Sequence, residues 1–303
     1  MNIRRVVVHG ANGVQGGAIA RQLVAEGFEV RGAVRDPAKA ASLRTAPIDI
    51  VAADLESLSA LRSASTGMDA VVLTLPMSWH PETVLRWARN AALAARDSGV
   101  AMMILNSGTR IPDQPTDVPA FEQRRAVETV VREVGPPIIV LRPPFYMDNL
   151  AGPWTAAGIV RDRTVAYPLA ERLRASWLAT ADLGAYVGAA LRRPDLTGRT
   201  LDIGGPDALD GPALAAALSR SLGHPLRYFA VPPAAFEQGL VQAFGPDVAR
   251  GIARTYVWLA EHAHTALLTG AAVELKGSLA RPLMGVSQWA QTQSWTLSGP
   301  SSS

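Results

Sequence analysis

The pattern of apolar positions changes its period twice within the first 36 residues. A run of valines at 6–8 is followed by four glycines, then by apolar residues at helical spacing, and then by a second apolar run over 28–34. Short β-branched runs predict buried strands, and a helical period between them predicts a helix packed on the sheet. The segment 4–36 therefore predicts a strand, a glycine turn, a helix and a second, parallel strand.

The glycine turn has the spacing G-x-x-G-x-x-G at Gly10, Gly13 and Gly16. In a strand–helix–strand unit the free N–H groups of the first helical turn and the positive end of the helix dipole meet at the carboxyl edge of the sheet, where they favour a phosphate. Glycine lets the backbone approach that phosphate closely. The turn predicts a dinucleotide site made of Gly10, Asn12, Gly13, Val14, Gln15 and Gly16; the alternative is an ordinary tight turn without a ligand.

The alternation of strand and helix patterns continues to residue 143. Strands are expected at 48–52, 69–75, 100–105 and 138–141, with a helix through Leu43 and long helices at 81–98 and 119–133, which predicts an α/β fold with a doubly wound parallel sheet. Residues 1–146 form the predicted dinucleotide-binding domain, to which 177–204 returns. A smaller α/β portion, 147–176 and 205–297, is expected to cover the substrate, and 298–303 to be a disordered tail.

Composition narrows the class of protein. The chain of 303 residues is 48% hydrophobic, has no cysteine and carries a net charge of +3, with scattered basic residues. No apolar run approaches the roughly 18 residues of a membrane span, and no secretory signal pattern is present. We expect a soluble cytoplasmic protein that binds neither nucleic acid nor membrane, without disulfides or cysteine metal ligands and with no metal site, and compatible with a homodimer.

Charged residues after the second and third strands indicate which dinucleotide binds. Arg35 stands where the cofactor ribose would lie, and an arginine there suits a 2′-phosphate, which predicts NADP(H) over NAD(H). Lys39 is either a second phosphate contact or a solvated residue, and Asp36 is expected to cap a turn. Asp54 and Leu55 follow the third strand and are expected to border the adenine pocket; the alternative for Asp54 is a helix cap.

Further candidates follow the later strands. Leu75 and Pro76 end the fourth strand beside the cofactor groove. Ser107 follows the fifth strand and is expected to border the cofactor; it is either a group for substrate chemistry or a turn residue. His80 is either an acid or base near the nicotinamide or a loop residue, and His9 is expected in the core or the groove lining. Pro144 and Phe145 are further cofactor candidates, and Tyr146, Asn149, Trp154 and Trp177 are substrate candidates; the aromatic residues among them fit a hydrophobic core almost as well.

A series of short motifs runs in order along nearly the whole chain. They are HGANGVQGG (9–17), AVRDP (33–37), Leu75-Pro76, NSG (106–108), RAVE (125–128), LRPPFYMDNL (141–150), ADLGAYV (181–187) and DIGGPDAL (202–209). In this order they resemble the NmrA-like branch of the atypical short-chain dehydrogenases/reductases. The resemblance implies a Rossmann domain that binds NAD(P)(H) and a smaller C-terminal portion around the substrate. The family includes quinone and aryl-ether reductases and non-catalytic proteins that sense the dinucleotide's redox state.

One departure from that family concerns its acid–base pair. Short-chain reductases use a tyrosine with a lysine four residues later, and no Tyr-x-x-x-Lys occurs in this chain. Aligned on RAVE, the lysine position is Arg124 and the tyrosine position is Ala120. Arg124 is expected to bind the nicotinamide ribose, but a permanently charged guanidinium cannot shuttle a proton. This excludes carbonyl reduction by the tyrosine route.

Two classes of function follow. The first is an NADPH-dependent oxidoreductase acting on a flat, conjugated or quinone-like small molecule, because such an acceptor delocalises the incoming charge and water can supply the proton. The second is a non-catalytic NADP(H) sensor that signals by ordering 147–176. A tailoring cyclase or isomerase that keeps the cofactor as structure is a third, narrower hypothesis.

Overall fold

Seven parallel strands form the central sheet of the computed structural model, which describes residues 2–265, 267–270 and 272–295 and omits the side chains of 153, 154 and 243. The strands of the described residues are β1 (Arg5–His9), β2 (Glu29–Val34), β3 (Ile48–Ala52), β4 (Ala70–Thr74), β5 (Met102–Asn106), β6 (Ile138–Arg142), β7 (Thr164–Tyr167), β8 (Ala175–Ser176), β9 (Thr200–Asp202), β10 (Ala208–Leu209) and β11 (Arg227–Ala230). The central sheet has the order β3-β2-β1-β4-β5-β6-β9. This confirms the predicted doubly wound parallel sheet.

Helices cover both faces of this sheet. The helices of the described residues are α1 (Val14–Ala25), α2 (Leu58–Ser65), α3 (Pro81–Asp97), α4 (Pro119–Val134), α5 (Pro153–Arg161), α6 (Thr180–Leu191), α7 (Gly211–Leu222), α8 (Pro233–Phe244), α9 (Pro246–Glu261) and α10 (Val286–Gln291), of which α5, α7, α8 and α10 pack away from the central sheet. Within the described ranges, no helix has the length and apolar content to cross a bilayer. The tail predicted at 298–303 lies outside the described residues.

The valines of β1 show why its apolar run is continuous. Val6 and Val8 pack into a core with α1 and α6, and Val7 faces the opposite core, which contains residues of α2, α3 and α4. A parallel strand covered by helices on both sides needs apolar residues at every position. Continuous runs therefore mark the central strands.

Close packing of α1 against α6 brings residues 180–191 onto the sheet beside the glycine turn. A side chain at Gly184 would lie 3.1 Å from the Ala18 carbonyl oxygen and would collide with Gln22, and one at Gly188 would collide with Glu26. The Arg192 guanidinium and the Glu26 carboxylate pair at 2.6 Å at the end of this contact. The two glycines of α6 allow this helix to pack closely on α1.

One stretch differs from the sequence expectations, and a second shows ordered elements where the sequence pattern is mixed. The helix expected through Leu43 is instead two short 3₁₀ turns, 37–39 and 41–43, because the Asp36 side chain caps Ala38 N at 3.0 Å and the chain turns again at Ala40. The mixed segment 147–176 contains the ordered elements α5, β7 and β8. β7 pairs in parallel with β11, so this segment contributes a strand to a small sheet separate from the central one.

His9 ends β1 inside the core and is 1% exposed. Neither ring nitrogen has a hydrogen-bond partner among the described residues. Burial disfavours the charged imidazolium and lowers the pKa of His9 from 6.5 to about 4. The folded protein therefore holds this ring neutral at pH values where an unfolded chain would protonate it.

We expect His9 to make stability fall below neutral pH. Between the unfolded pKa of 6.5 and the folded pKa of about 4, the unfolded chain binds the extra proton, so the stability present above 6.5 is lost as pH falls. Between about pH 7.5 and about pH 5, the free energy of unfolding of wild type should drop by about 2 kcal/mol more than that of His9→Val.

Urea denaturation at the two pH values measures this difference. His264→Val, a change at an exposed histidine, is the matched control and should keep the wild-type pH dependence. If the free energy of unfolding changed equally with pH in wild type and His9→Val, the lowered pKa of His9 would be contradicted.

Candidate functional site

A cavity of about 500 Å³ opens at the carboxyl edge of the sheet, where the strand order reverses between β1 and β4. Such a switch point is where open α/β sheets bind their ligands. Of the residues predicted from the sequence, the cavity brings together Gly10, Gly13, Val14, Gln15, Gly16, Leu75, Pro76, Ser107, Arg124, Tyr146 and Asn149.

The glycine turn forms the floor of this groove. Gly10 has φ +75°, and a side chain there would lie 2.6 Å from the Thr74 carbonyl oxygen on β4. A side chain at Gly16 would collide with the Gly10 carbonyl group. α1 begins at Val14 without a side-chain cap and without an acidic residue in its first turn. The free N–H groups and the positive end of α1 therefore face the groove, which suits an anion.

Asn106 connects three elements of the groove wall, and sequence reasoning did not select it. The Asn106 Nδ2 donates to Gln15 Oε1 at 2.8 Å, and Asn106 Oδ1 accepts from Gly108 N at 3.2 Å and from the Tyr146 hydroxyl at 3.3 Å. Burial raises the pKa of Tyr146, so its phenol stays protonated. The signal for Asn106 was its place in the NSG motif directly after an apolar strand.

Arg124 is a cation of the groove without a counter-ion in the described part of the chain. Its Nη1 donates to Gln123 Oε1 at 2.8 Å, and its buried Nε has no partner there. Gln123 in turn donates to the Ser78 carbonyl oxygen at 3.2 Å. Burial lowers the pKa of Arg124, but a guanidinium remains charged at neutral pH. The side chain can donate to a phosphate, carboxylate or ribose oxygen in the groove.

Other cofactor candidates lie at the ends of β2 and β3, outside the cavity wall. Arg35 is exposed and has no ion-pair partner within the described ranges, whereas the Lys39 ammonium lies 3.8 Å from the Asp36 carboxylate. Asp54 accepts from Glu56 N at 2.9 Å, as a turn residue does, and the Leu55 carbonyl accepts from Asn90. The exposed Asn12 and the buried Pro144 do not line the cavity.

The two acid–base candidates take conformations typical of loop residues. The Ser107 hydroxyl donates to the Thr109 carbonyl oxygen at 2.7 Å, the contact of a turn serine, although Ser107 lines the groove. His80 is exposed, stands at the N-cap of α3 and is not part of the cavity wall. In the part of the chain that the structure describes, no second polar side chain hydrogen-bonds the Ser107 hydroxyl or the His80 ring.

The aromatic candidates separate into two groups. Tyr146 lines the groove, whereas Phe145 and Trp177 pack in a core with Tyr167, with ring centroids of Trp177 5.6 Å from Phe145 and 5.1 Å from Tyr167. The geometry of Phe145 and Trp177 is therefore that of the core alternative. Trp154 lies in α5, and its side chain is outside the described residues.

His262 and His264 lie directly after the end of α9. His262 stacks on Trp258 at 4.0 Å and contacts the Trp258 carbonyl oxygen through Nδ1. Over residues 2–265, 267–270 and 272–295, no three histidine, aspartate or glutamate side chains form a group able to hold a metal ion.

The sheet order, the glycine turn and the groove at the switch point define a Rossmann-type protein of the NAD(P)-binding class. The chain belongs to the NmrA-like family, whose model matches residues 3–282.

The chain is similar in sequence to a known enzyme and in fold to several solved structures. An NAD(P)H azoreductase of Xenophilus azovorans is 31% identical over 230 residues, which are 75% of this chain and 77% of the relative. The structure of a Citrobacter sp. triphenylmethane reductase complexed with NADP(H) matches with a TM-score of 0.78 and 17% identity, covering 94% of this chain and 99% of that one. The structure of NmrA, a negative transcriptional regulator, in complex with NADP matches with a TM-score of 0.74 and 18% identity, covering 96% and 95%.

We expect Gly16→Ala to destabilise the protein by about 2 kcal/mol or more, because the new methyl group collides with the Gly10 carbonyl and must displace the turn. Gly239→Ala in α8 is the matched control. No atom lies within 4 Å of its added methyl group, so helix propensity alone should act and stabilise by up to about 1 kcal/mol. Urea denaturation of both variants tests the close approach, and an unchanged Gly16→Ala midpoint would contradict it.

Proposed function

We propose that this chain is an NADPH-dependent reductase that transfers a hydride to a flat, conjugated or quinone-like small molecule. The observation that carries the proposal is a single groove that joins the uncapped start of α1 to the uncompensated charge of Arg124. The names of the azoreductase and the triphenylmethane reductase support this substrate class, since azo and triphenylmethane dyes are both conjugated.

The residues present fit a dinucleotide. Gly10 and Gly16 leave space that a side chain would fill, so a pyrophosphate can approach the first N–H groups of α1. Arg124 offers donors to the nicotinamide ribose from the opposite wall, and Arg35 offers a free guanidinium to a 2′-phosphate.

Few side chains of the groove can donate or accept a proton. The bound dinucleotide would supply the hydride. Ala120 cannot donate a proton and Arg124 keeps its own. Tyr146 is the phenol among the lining residues, and its proton is held toward Asn106. The protein has mainly to orient the nicotinamide ring against the flat acceptor, because the acceptor itself delocalises the negative charge.

A redox sensor is the second candidate function. Asn149 lines the groove and belongs to the 3₁₀ turn 147–151 that begins the substrate-covering segment, so a bound ligand would contact the start of that segment. The likeness to the NmrA regulator is in keeping with this alternative.

Turnover separates the two candidates. Purified protein should oxidise NADPH in the presence of at least one member of a panel of azo dyes, triphenylmethane dyes and quinones. Arg124→Gln should lower kcat/KM at least tenfold, because a charged hydrogen bond in the groove is lost. Arg89→Gln, at an exposed arginine of α3, is the matched control and should leave the rate unchanged. Tight NADPH binding without oxidation by any acceptor would contradict the reductase and favour the sensor.

The Arg35→Ala variant tests the proposed preference for NADP(H) over NAD(H). Removing the free guanidinium should raise the Kd for NADP⁺ about tenfold or more while changing that for NAD⁺ less than about twofold, because NAD⁺ lacks the 2′-phosphate. Lys39→Ala is the control and should have the smaller effect, since Lys39 is 80% exposed and faces Asp36. Equal losses for the two dinucleotides in calorimetry would contradict the assignment.

A further inference from the structure

Three side chains from distant parts of the chain form a hydrogen-bonded series along the groove wall. The Tyr146 hydroxyl after β6 donates to Asn106 Oδ1 at the end of β5, and Asn106 Nδ2 donates to Gln15 Oε1 in the first turn of α1. All three residues line the cavity. Asn106 is 4% exposed, so its hydrogen bonds are shielded from water.

The direction of every hydrogen bond in this series follows from one backbone group. Gly108 N–H lies 3.2 Å from Asn106 Oδ1, and a backbone N–H can only donate, so that atom of the amide must be the oxygen. The other amide atom of Asn106 is then the nitrogen, which can only donate. Gln15 must meet it with its carbonyl oxygen, and its own NH₂ group is left free.

At the position of Gln15, the orientation of the side-chain amide determines whether a ligand in the groove meets a donor or an acceptor. It is the second residue of α1 and half-buried, beside the unsatisfied N–H groups of the helix start. Side chains in a first turn lean toward the helix N-terminus, here toward the groove. A free NH₂ group adds a donor to this electropositive end, whereas a reversed amide would present a carbonyl oxygen to an anion.

We propose that Asn106 is a positioning residue that holds Gln15 with its Nε2 toward the groove, as a specific donor to an oxygen of the bound dinucleotide. The oxygen is either one of the pyrophosphate or that of the nicotinamide carboxamide, and in both cases the chemistry is donation to a strong acceptor. This inference rests on the proposed function, since it requires that a dinucleotide enters the groove.

Asn106→Asp is the informative substitution. An aspartate still accepts from Gly108 N and Tyr146, but its second oxygen cannot donate, so Gln15 must reverse and present its oxygen to the ligand. We expect the Kd for NADP⁺ to rise about tenfold in Gln15→Met and more in Asn106→Asp. The double variant separates the reversed amide from the added negative charge. The charge alone would raise the Kd for NADP⁺ whether or not Gln15 is present.

In the Gln15→Met background, the factor by which Asn106→Asp raises the Kd for NADP⁺ should therefore be at least fivefold smaller than in wild type.

Calorimetric titrations with three ligands complete the experiment. Adenosine 2′-monophosphate, which has neither phosphate of the pyrophosphate and no nicotinamide, should bind wild type and Gln15→Met equally, whereas a merely distorted groove would weaken the binding of this ligand and of NADP⁺ alike. 2′-Phospho-ADP-ribose distinguishes the two acceptors: its affinity falls with that of NADP⁺ if the pyrophosphate is the partner and stays unchanged if the carboxamide is.

The outcomes separate this inference from the proposed function. Wild type that binds none of the three ligands overturns the proposed function and the positioning role with it. Wild type that binds NADP⁺ while the effects of Asn106→Asp and Gln15→Met simply multiply, or while Gln15→Met has no effect, overturns the positioning role alone. Denaturation midpoints close to that of wild type show that each variant is folded.

Discussion

The close approach of backbone to backbone at the glycine turn determines how the rest of the groove is built. Gly10 takes a positive φ against the Thr74 carbonyl, and Gly16 lies against the Gly10 carbonyl. These contacts bring the first turn of α1 directly over the ends of β1 and β4. The uncapped N–H groups can then face a ligand without any intervening side chain. A methyl group at Gly16 would move α1 away from the sheet and change each later contact of that helix.

The face of α1 that packs on α6 also depends on a close approach at glycine residues. Gly184 and Gly188 let α6 lie against Gln22 and Glu26, so residues far along the chain fix the orientation of the helix whose start faces the groove. This contact explains physically why the chain returns to the sheet after 147–176. A helix held on one side by the turn and on the other by α6 can keep its dipole directed at a ligand without large rearrangement.

Local signals predicted the elements, but not which side chains face the groove. β3 was predicted with the bounds it has, and α3 and α4 were predicted to within one residue, because a proline begins each and glycine follows. The partners of Asn106 could not be predicted, since Gln15 is 91 residues away and only the fold brings them together. Trp177 and Tyr146 were equivalent as aromatic residues in the sequence, and hydrophobicity alone does not distinguish a core position from a groove wall.

Charge compensation distinguishes Arg124 from the chain's structural arginines. Arg110, Arg142 and Arg281 each meet a carboxylate at 2.6 Å, as a charge removed from water requires. Arg124 has instead an amide oxygen as its partner and, among the described residues, no carboxylate. A protein gains no stability from such a site, because desolvation of the cation is left uncompensated.

A ligand that supplies the missing acceptor would offset the desolvation free energy of Arg124. The same argument applies to the free Nε2 of Gln15 and to the uncapped start of α1. Three unsatisfied donor groups that converge on one cavity form a binding surface for an oxygen-rich anion.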